Sequence, residues 1–164
     1  MKHLVLDASV CLKWFLPEYG EQDVDVAQEL QSQMRRGEIA LIQPAVWHSE
    51  IASVLARKLP LLAHELTTRL TRIEAKIESD RVCMLRAVDL SVQLHHHFFD
   101  TIYHATAIEH GIDLVTADEH YYHKARGLGS IVLLKDWRWK PQGVSEPRIE
   151  YTARPRKPRK AKSR

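Results

Sequence analysis

His3-Leu4-Val5-Leu6-Asp7 and Asp113-Leu114-Val115-Thr116-Ala117-Asp118 decide how this chain folds. Each is a short apolar run that meets an acid at its carboxyl end. Runs of this length read as buried strands, over residues 3–6 and 113–116. Working outward from the first, residues 8–16 read as a short helix closed by Pro17. Val24, Ala27, Leu30 and Met34 give residues 21–36 helical spacing, which Gly37 stops. Residues 39–42 form a second strand, broken at Pro44. Trp47, Ile51, Val54 and Leu55 put one apolar face on a helix over 45–59, ended by Pro60. Leu62, Leu66, Leu70, Ile73 and Ile77 extend a stripe over 61–77. Residues 82–85 read as a short strand and 88–94 as helix. The helix over 98–110 is apolar almost all round and closes at Gly111. After the strand at 113–116 come a helix over 118–125 and a last strand over 131–134.

Strands alternate with helices throughout, which argues for an α/β domain with a mainly parallel sheet. In such sheets ligands bind beyond the carboxyl ends of the strands. The chain has 164 residues, enough for one domain with its own core. Hydrophobic residues make up 45% and charged residues 27%, values of an ordinary globular protein. No apolar run reaches the roughly 20 residues that span a bilayer, and Asp7 interrupts any secretory leader. Cys11 and Cys83 lie in apolar surroundings without paired spacing, so they read as buried thiols in a reducing cytosol, and the expected location is cytoplasmic.

The domain is expected to span residues 1–140. Residues 141–164 form a basic, proline-containing tail, expected to be disordered. Within it, residues 148–164 hold eight Lys/Arg and one acid, Glu150, a net charge of +7. The whole chain carries +3, so the preceding 147 residues carry −4. A basic tail on an acidic body suits contact with nucleic acid, or simple solvation.

The acids carry the chemistry. Asp7 and Asp118 end strands, so the sheet rule places both on one rim, although a strand-end Asp also serves as a helix N-cap. Glu50 lies three residues after Trp47 and four before Val54, on the apolar stripe of its helix. Pairing it with Arg57 or Lys58 is awkward, two turns away. Asp100 opens a helix too apolar to be a solvated face. Burying an ionised carboxylate is costly unless donors or a cation compensate it. Four carboxylates at one rim repel each other and become stable together on a hard divalent cation, Mg²⁺ or Mn²⁺. Such an ion lowers the pKa of a bound water and stabilises charge on a phosphate.

These residues resemble the PIN-domain ribonuclease family, and VapC-type toxins in particular. Leu4-Val-Leu-Asp7-Ala-Ser9-Val-Cys-Leu-Lys13-Trp14-Phe-Leu-Pro-Glu18 is similar to the family's first motif. Pro44-Ala-Val-Trp-His-Ser-Glu50-Ile resembles the second, Phe99-Asp100-Thr-Ile-Tyr103-His-Ala-Thr-Ala107 the third, and Thr116-Ala-Asp118-Glu-His-Tyr the fourth. The third departs from the usual pattern at Phe99 and His104. The ordered set, from Lys2 to Leu134, is more specific than any one motif. The resemblance implies a three-layer α/β/α PIN-like domain and an Mg²⁺-dependent endoribonuclease. It implies Asp7, Glu50, Asp100 and Asp118 as the catalytic, metal-holding acids, with Ser9 and Thr116 supporting them. It also implies a homodimer inhibited by a VapB-like antitoxin.

Other signals are weaker. Consecutive residues on a helix point about 100° apart, so His95, His96 and His97 cannot easily share one ion and read as a polar helix end. His104 reads as a packed helix histidine. Lys13 fits a phosphate ligand or a solvated lysine, and Trp14 and Phe15 fit the core. Trp137 and Trp139 flank Arg138, which suits stacking on single-stranded RNA or packing of one ring on the last strand. A haloacid dehalogenase-type phosphatase also places a nucleophilic Asp after its first strand, but wants a second Asp two residues on, where this chain has Ser9. A non-catalytic nucleic-acid or partner-binding module would not need all four acids.

Overall fold

β1 (Lys2–Leu6) is covered on both faces, with Leu4, Val5 and Leu6 fully buried. That is the environment of a central parallel strand. The computed structural model describes residues 1–16 and 22–138. Within them β1 is joined by β2 (Ile39–Pro44), β3 (Lys76–Glu78), β4 (Asp113–Thr116) and β5 (Ile131–Leu133). All pairings are parallel, in the order β3-β2-β1-β4-β5. The chain moves outward from β1 to β3, then crosses back to β4 on the other side of β1. The strand order therefore reverses between β1 and β4, and a crevice forms there at the carboxyl ends.

The helices are α1 (Ala8–Leu12), α2 (Val24–Arg35), α3 (Trp47–Lys58), α4 (Ala63–Leu70), α5 (Arg81–Leu94), α6 (Phe98–His110) and α7 (Glu119–Ala125). Right-handed crossovers put the helices of the outward run on one face and those of the return run on the other. Accordingly α3 packs on α1 and α4, whereas α6 packs on α5 and across β1, β2 and β4. The result is a three-layer α/β/α domain of the expected class. α6 buries every residue from 101 to 107, including Tyr103 and His104. It ends at Gly111, whose φ of +62° is a left-handed conformation that glycine adopts without strain.

Two expected elements need correction. The stripe over 61–77 does not run as one helix: α4 stops at Leu70, and residues 76–78 form the edge strand β3. Residues 82–85 are not a strand but the first turns of α5. Their apolar side chains misled the reading, because Val82, Met84 and Leu85 point to solvent. The true start signal was Asp80, whose side chain accepts a hydrogen bond from the Val82 N–H at 3.2 Å. Pro44 does not break β2 but closes it, opposite Glu78. Trp137 packs in the core beneath the Lys2 ammonium, which removes its ring from any RNA-stacking role. Trp139, the boundary at residue 140 and the basic tail lie outside the described residues. Among the described residues, no helix is long and apolar enough to cross a membrane.

Candidate metal centre

Asp7 leaves β1 at the point where the strand order reverses. Its N–H donates to the Val115 carbonyl at 3.0 Å, tying it to β4. Two hydroxyls converge on its Oδ2: Ser9 Oγ at 2.7 Å and Thr116 Oγ1 at 2.6 Å. Each hydroxyl also accepts a backbone N–H, Ser9 from Ala117 (3.1 Å) and Thr116 from Asp118 (3.0 Å). These backbone bonds leave the hydroxyl protons free to point at Asp7. Ser9 and Thr116 thus lock the ends of β1 and β4 together around one carboxylate.

Gln43 holds the same strand end from the other side. It is fully buried on β2. Its Oε1 accepts from the Leu6 N–H at 3.3 Å, and its Nε2 donates to the Leu6 carbonyl at 3.0 Å. The β2 backbone has by then turned to its partner β3, where Gln43 stands opposite Ile77. The Gln43 side chain continues the ladder that the backbone abandons, and fixes the residue before Asp7.

Glu50 comes from the first turn of α3, and its Oε2 accepts from the buried Tyr103 hydroxyl at 2.8 Å. Asp100 sits in the first turn of α6, with Oδ2 3.0 Å from His96 Nε2. Asp118 caps α7, accepting the Tyr121 N–H at 2.9 Å. All four acids expected at the site share one field. Burial pushes the Asp7 carboxyl up, the Thr116 and Ser9 hydroxyls oppose this, and the Asp118 charge adds to it. Burial pushes Glu50 up to about 7, opposed by the Tyr103 hydroxyl and reinforced by Asp7 and Asp100. Asp100 is raised first by burial and then by Asp7, with His96 working against it. One buried and three half-buried carboxylates that repel each other on one rim are a donor set suited to a divalent cation. His96 Nε2, one Asp100 oxygen and one Asp118 oxygen lie within 4.8 Å of one another, close enough to share an ion.

Sequence reasoning missed three polar residues of this rim. Tyr103 and Gln43 carried no signal beyond being polar within apolar runs. His96 has one, its four-residue separation from Asp100, which the divergence of three adjacent rings hides because only one of the three has to face the acids. His95 does end α5, in a left-handed cap at φ 47°, and that turn delivers the next ring to the acids. His104 is a packing residue, bonded to the Tyr121 hydroxyl (3.0 Å) and the Gly129 carbonyl (2.8 Å). Lys13 is buried, which excludes a solvated lysine.

A search of curated protein sequences finds no match. Among solved structures, a chain from "Toxin-antitoxin complex from Klebsiella pneumoniae" aligns with a TM-score of 0.55 at 20% identity. The alignment covers 82% of this chain and 98% of that one, a likeness of fold. The sequence profile of the PIN domain matches residues 4–127, which take in all four acids and both hydroxyls. By that match over most of its length, the chain belongs to the PIN domain family.

Proposed function

We propose that this protein is a metal-dependent endoribonuclease that hydrolyses RNA phosphodiester bonds. The observation that carries the reading is the convergence of Asp7, Glu50, Asp100 and Asp118 at the crevice between β1 and β4, three of them with raised carboxyl pKa. Asp7, Asp100, Asp118 and Glu50 would hold Mg²⁺, or Mn²⁺. A cation there supplies Lewis-acid stabilisation of the phosphate and makes an attacking water more acidic. Ser9 and Thr116 keep Asp7 aimed at the crevice and favour its ionised form. Tyr103 sets the orientation of Glu50, whose carboxyl burial pushes up to about 7 in the metal-free protein, so a cation there would relieve an unfavourable buried charge. A haloacid dehalogenase-type reaction lacks its acid, because the Ser9 hydroxyl stands in that place and donates to Asp7.

The test is cleavage of RNA by the purified protein with Mg²⁺. Asp7→Asn and Asp100→Asn are each expected to abolish cleavage while keeping the wild-type circular dichroism spectrum. A folded Asp7→Asn that cleaves at the wild-type rate refutes the assignment. Wild type that binds RNA without cleaving it makes this a binding module.

The motif resemblance to VapC-type toxins and the toxin–antitoxin origin of the fold neighbour support a role as the toxin of a type II pair. The partner would be a VapB-like antitoxin, and the protein a cytoplasmic homodimer. Induced expression is then expected to arrest growth, and co-expression of its antitoxin partner to restore growth. Light scattering of the purified protein gives the oligomeric state.

A further inference from the structure

The acidic rim has a nitrogen beside it that the four-carboxylate reading does not use. His96 Nε2 is 3.0 Å from Asp100 Oδ2, and the His96 side chain is only 8% exposed. The ring is held independently of Asp100. It packs against Tyr121 with the rings tilted at 42° and 4.8 Å between centroids, and lies 5.7 Å from the His120 ring. Its backbone is pinned at both ends: the His96 N–H donates to the Ser91 carbonyl (3.1 Å), and the His96 carbonyl accepts from Ser91 Oγ (2.6 Å). A concavity lined by His95, His97, His120 and Lys124 opens on its outer side and gives a path from solvent.

Two ligand atoms each about 2.1 Å from one ion lie roughly 3 Å apart when they are neighbours in its shell. The His96–Asp100 separation already has that value, and the Asp118 carboxylate is within the same 4.8 Å group. An imidazole of this kind suits the later first-row ions, whereas Mg²⁺ takes oxygen. We infer that His96 is a ligand of the metal site together with Asp100 and Asp118. His96 therefore gives the site an affinity for Mn²⁺, Co²⁺, Ni²⁺ and Zn²⁺ that its carboxylates alone would not, while the affinity for Mg²⁺ gains little. The inference rests on the metal-dependent reading above and adds the class of ion. Ligation through Nε2 leaves the ring proton on Nδ1, which faces Lys124 Nζ at 3.4 Å. Lys124 is exposed and keeps the His95 carbonyl as a partner at 3.1 Å, so that contact can open.

The test uses the full chain, stripped of metal and titrated with Mn²⁺, Co²⁺ and Mg²⁺. Pulsed electron paramagnetic resonance of the Mn²⁺-loaded wild type is expected to show coupling to one imidazole nitrogen. His96→Gln, which keeps a hydrogen-bonding side chain beside Asp100, is expected to lose the coupling. It should bind Mn²⁺ and Co²⁺ about 10-fold more weakly or worse, with Mg²⁺ affinity changed less than about twofold. His64→Gln, at an exposed position of α4, should match wild type in all three. Mn²⁺ bound without nitrogen coupling in wild type overturns the inference, as does coupling that survives His96→Gln. If His96→Gln fails to fold, wild-type protein bearing ¹⁵N-histidine still decides, because coupling that does not change with the label is not from histidine. RNA cleavage with Mg²⁺ alongside nitrogen-free Mn²⁺ binding overturns only this inference. Absence of both cleavage and ion binding overturns the nuclease reading as well.

Discussion

Glu50 is the residue whose protonation couples the site most directly to stability. Its folded pKa, about 7, stands above the ordinary 4.5 of the unfolded chain. An acid raised in this way is held protonated by the fold. Its contribution to metal-free stability is therefore greatest below pH 4.5, and is lost as pH rises through 7. Asp7 and Asp100 are raised too and act in the same direction. Because Glu50 is partly exposed, solvent screening reduces its share to on the order of 2 kcal/mol. Urea unfolding of metal-free protein at pH 5 and pH 8 is expected to show lower stability at pH 8, and Glu50→Gln to remove about that much of the difference. An unchanged difference in the mutant would show that Glu50 does not titrate in this range. Asp7→Asn makes a related case. It relieves repulsion, so it is expected to melt higher than wild type without metal. Mg²⁺ should raise the melting temperature of wild type more than that of the mutant, by mass action on the native state. Equal shifts would count against a cation at Asp7. The acids themselves could be read in sequence, since a carboxylate at the end of an apolar run is conspicuous. Their partners could not: Tyr103 and Glu50 are 53 residues apart on two different helices, and only the tertiary fold brings them together.

At the scale of elements, β1 and β4 decide the site, and both were plain from their short apolar runs. β3 was not. It is a three-residue edge strand with Lys76 and Ile77 exposed, so it shows neither two-sided burial nor an alternation long enough to read. The stripe from Leu62 to Ile77 kept helical spacing across the break after Leu70, because Leu62 and Ile77 are themselves largely exposed and carry no core signal. The structure also gives the β1–β2 junction an unusual dependence on one side chain. Gln43→Leu retains volume but leaves the buried Leu6 N–H and carbonyl without their partners. Each unsatisfied group costs about 1–3 kcal/mol, so a loss of about 2–6 kcal/mol is expected for the two. It should come with weaker metal binding, because Leu6 positions Asp7. Gln43→Glu can keep both bonds only when protonated, so it is expected to approach wild-type stability at low pH and to lose stability as pH rises, because an ionised carboxylate is costly at this buried position. Denaturant unfolding and metal titration of both variants test this. A Gln43→Leu protein with wild-type stability would mean that water or backbone movement satisfies Leu6.

At the scale of the whole molecule, charge is distributed against the proposed task. Residues 1–147 carry −4, and the proposed catalytic rim concentrates acids, so this body repels a polyanion at a distance. The +7 of residues 148–164 is the one large positive block in the sequence, and we propose that it supplies the attraction RNA needs. Each cation that neutralises a phosphate on single-stranded RNA contributes about 0.7 to the slope of log affinity against log salt. If half of the eight tail cations do so, deleting residues 141–164 should lower that slope by roughly 3 and weaken binding most at low salt. Single-turnover cleavage at saturating RNA should be nearly unchanged, because the acids and hydroxyls of the rim lie between Asp7 and Asp118. Binding measured across a salt series, with cleavage followed in parallel, separates the two effects. Identical slopes for full-length and truncated protein would remove RNA attraction as the tail's role. A truncated protein that binds normally but cleaves slowly would instead place part of the tail at the crevice itself.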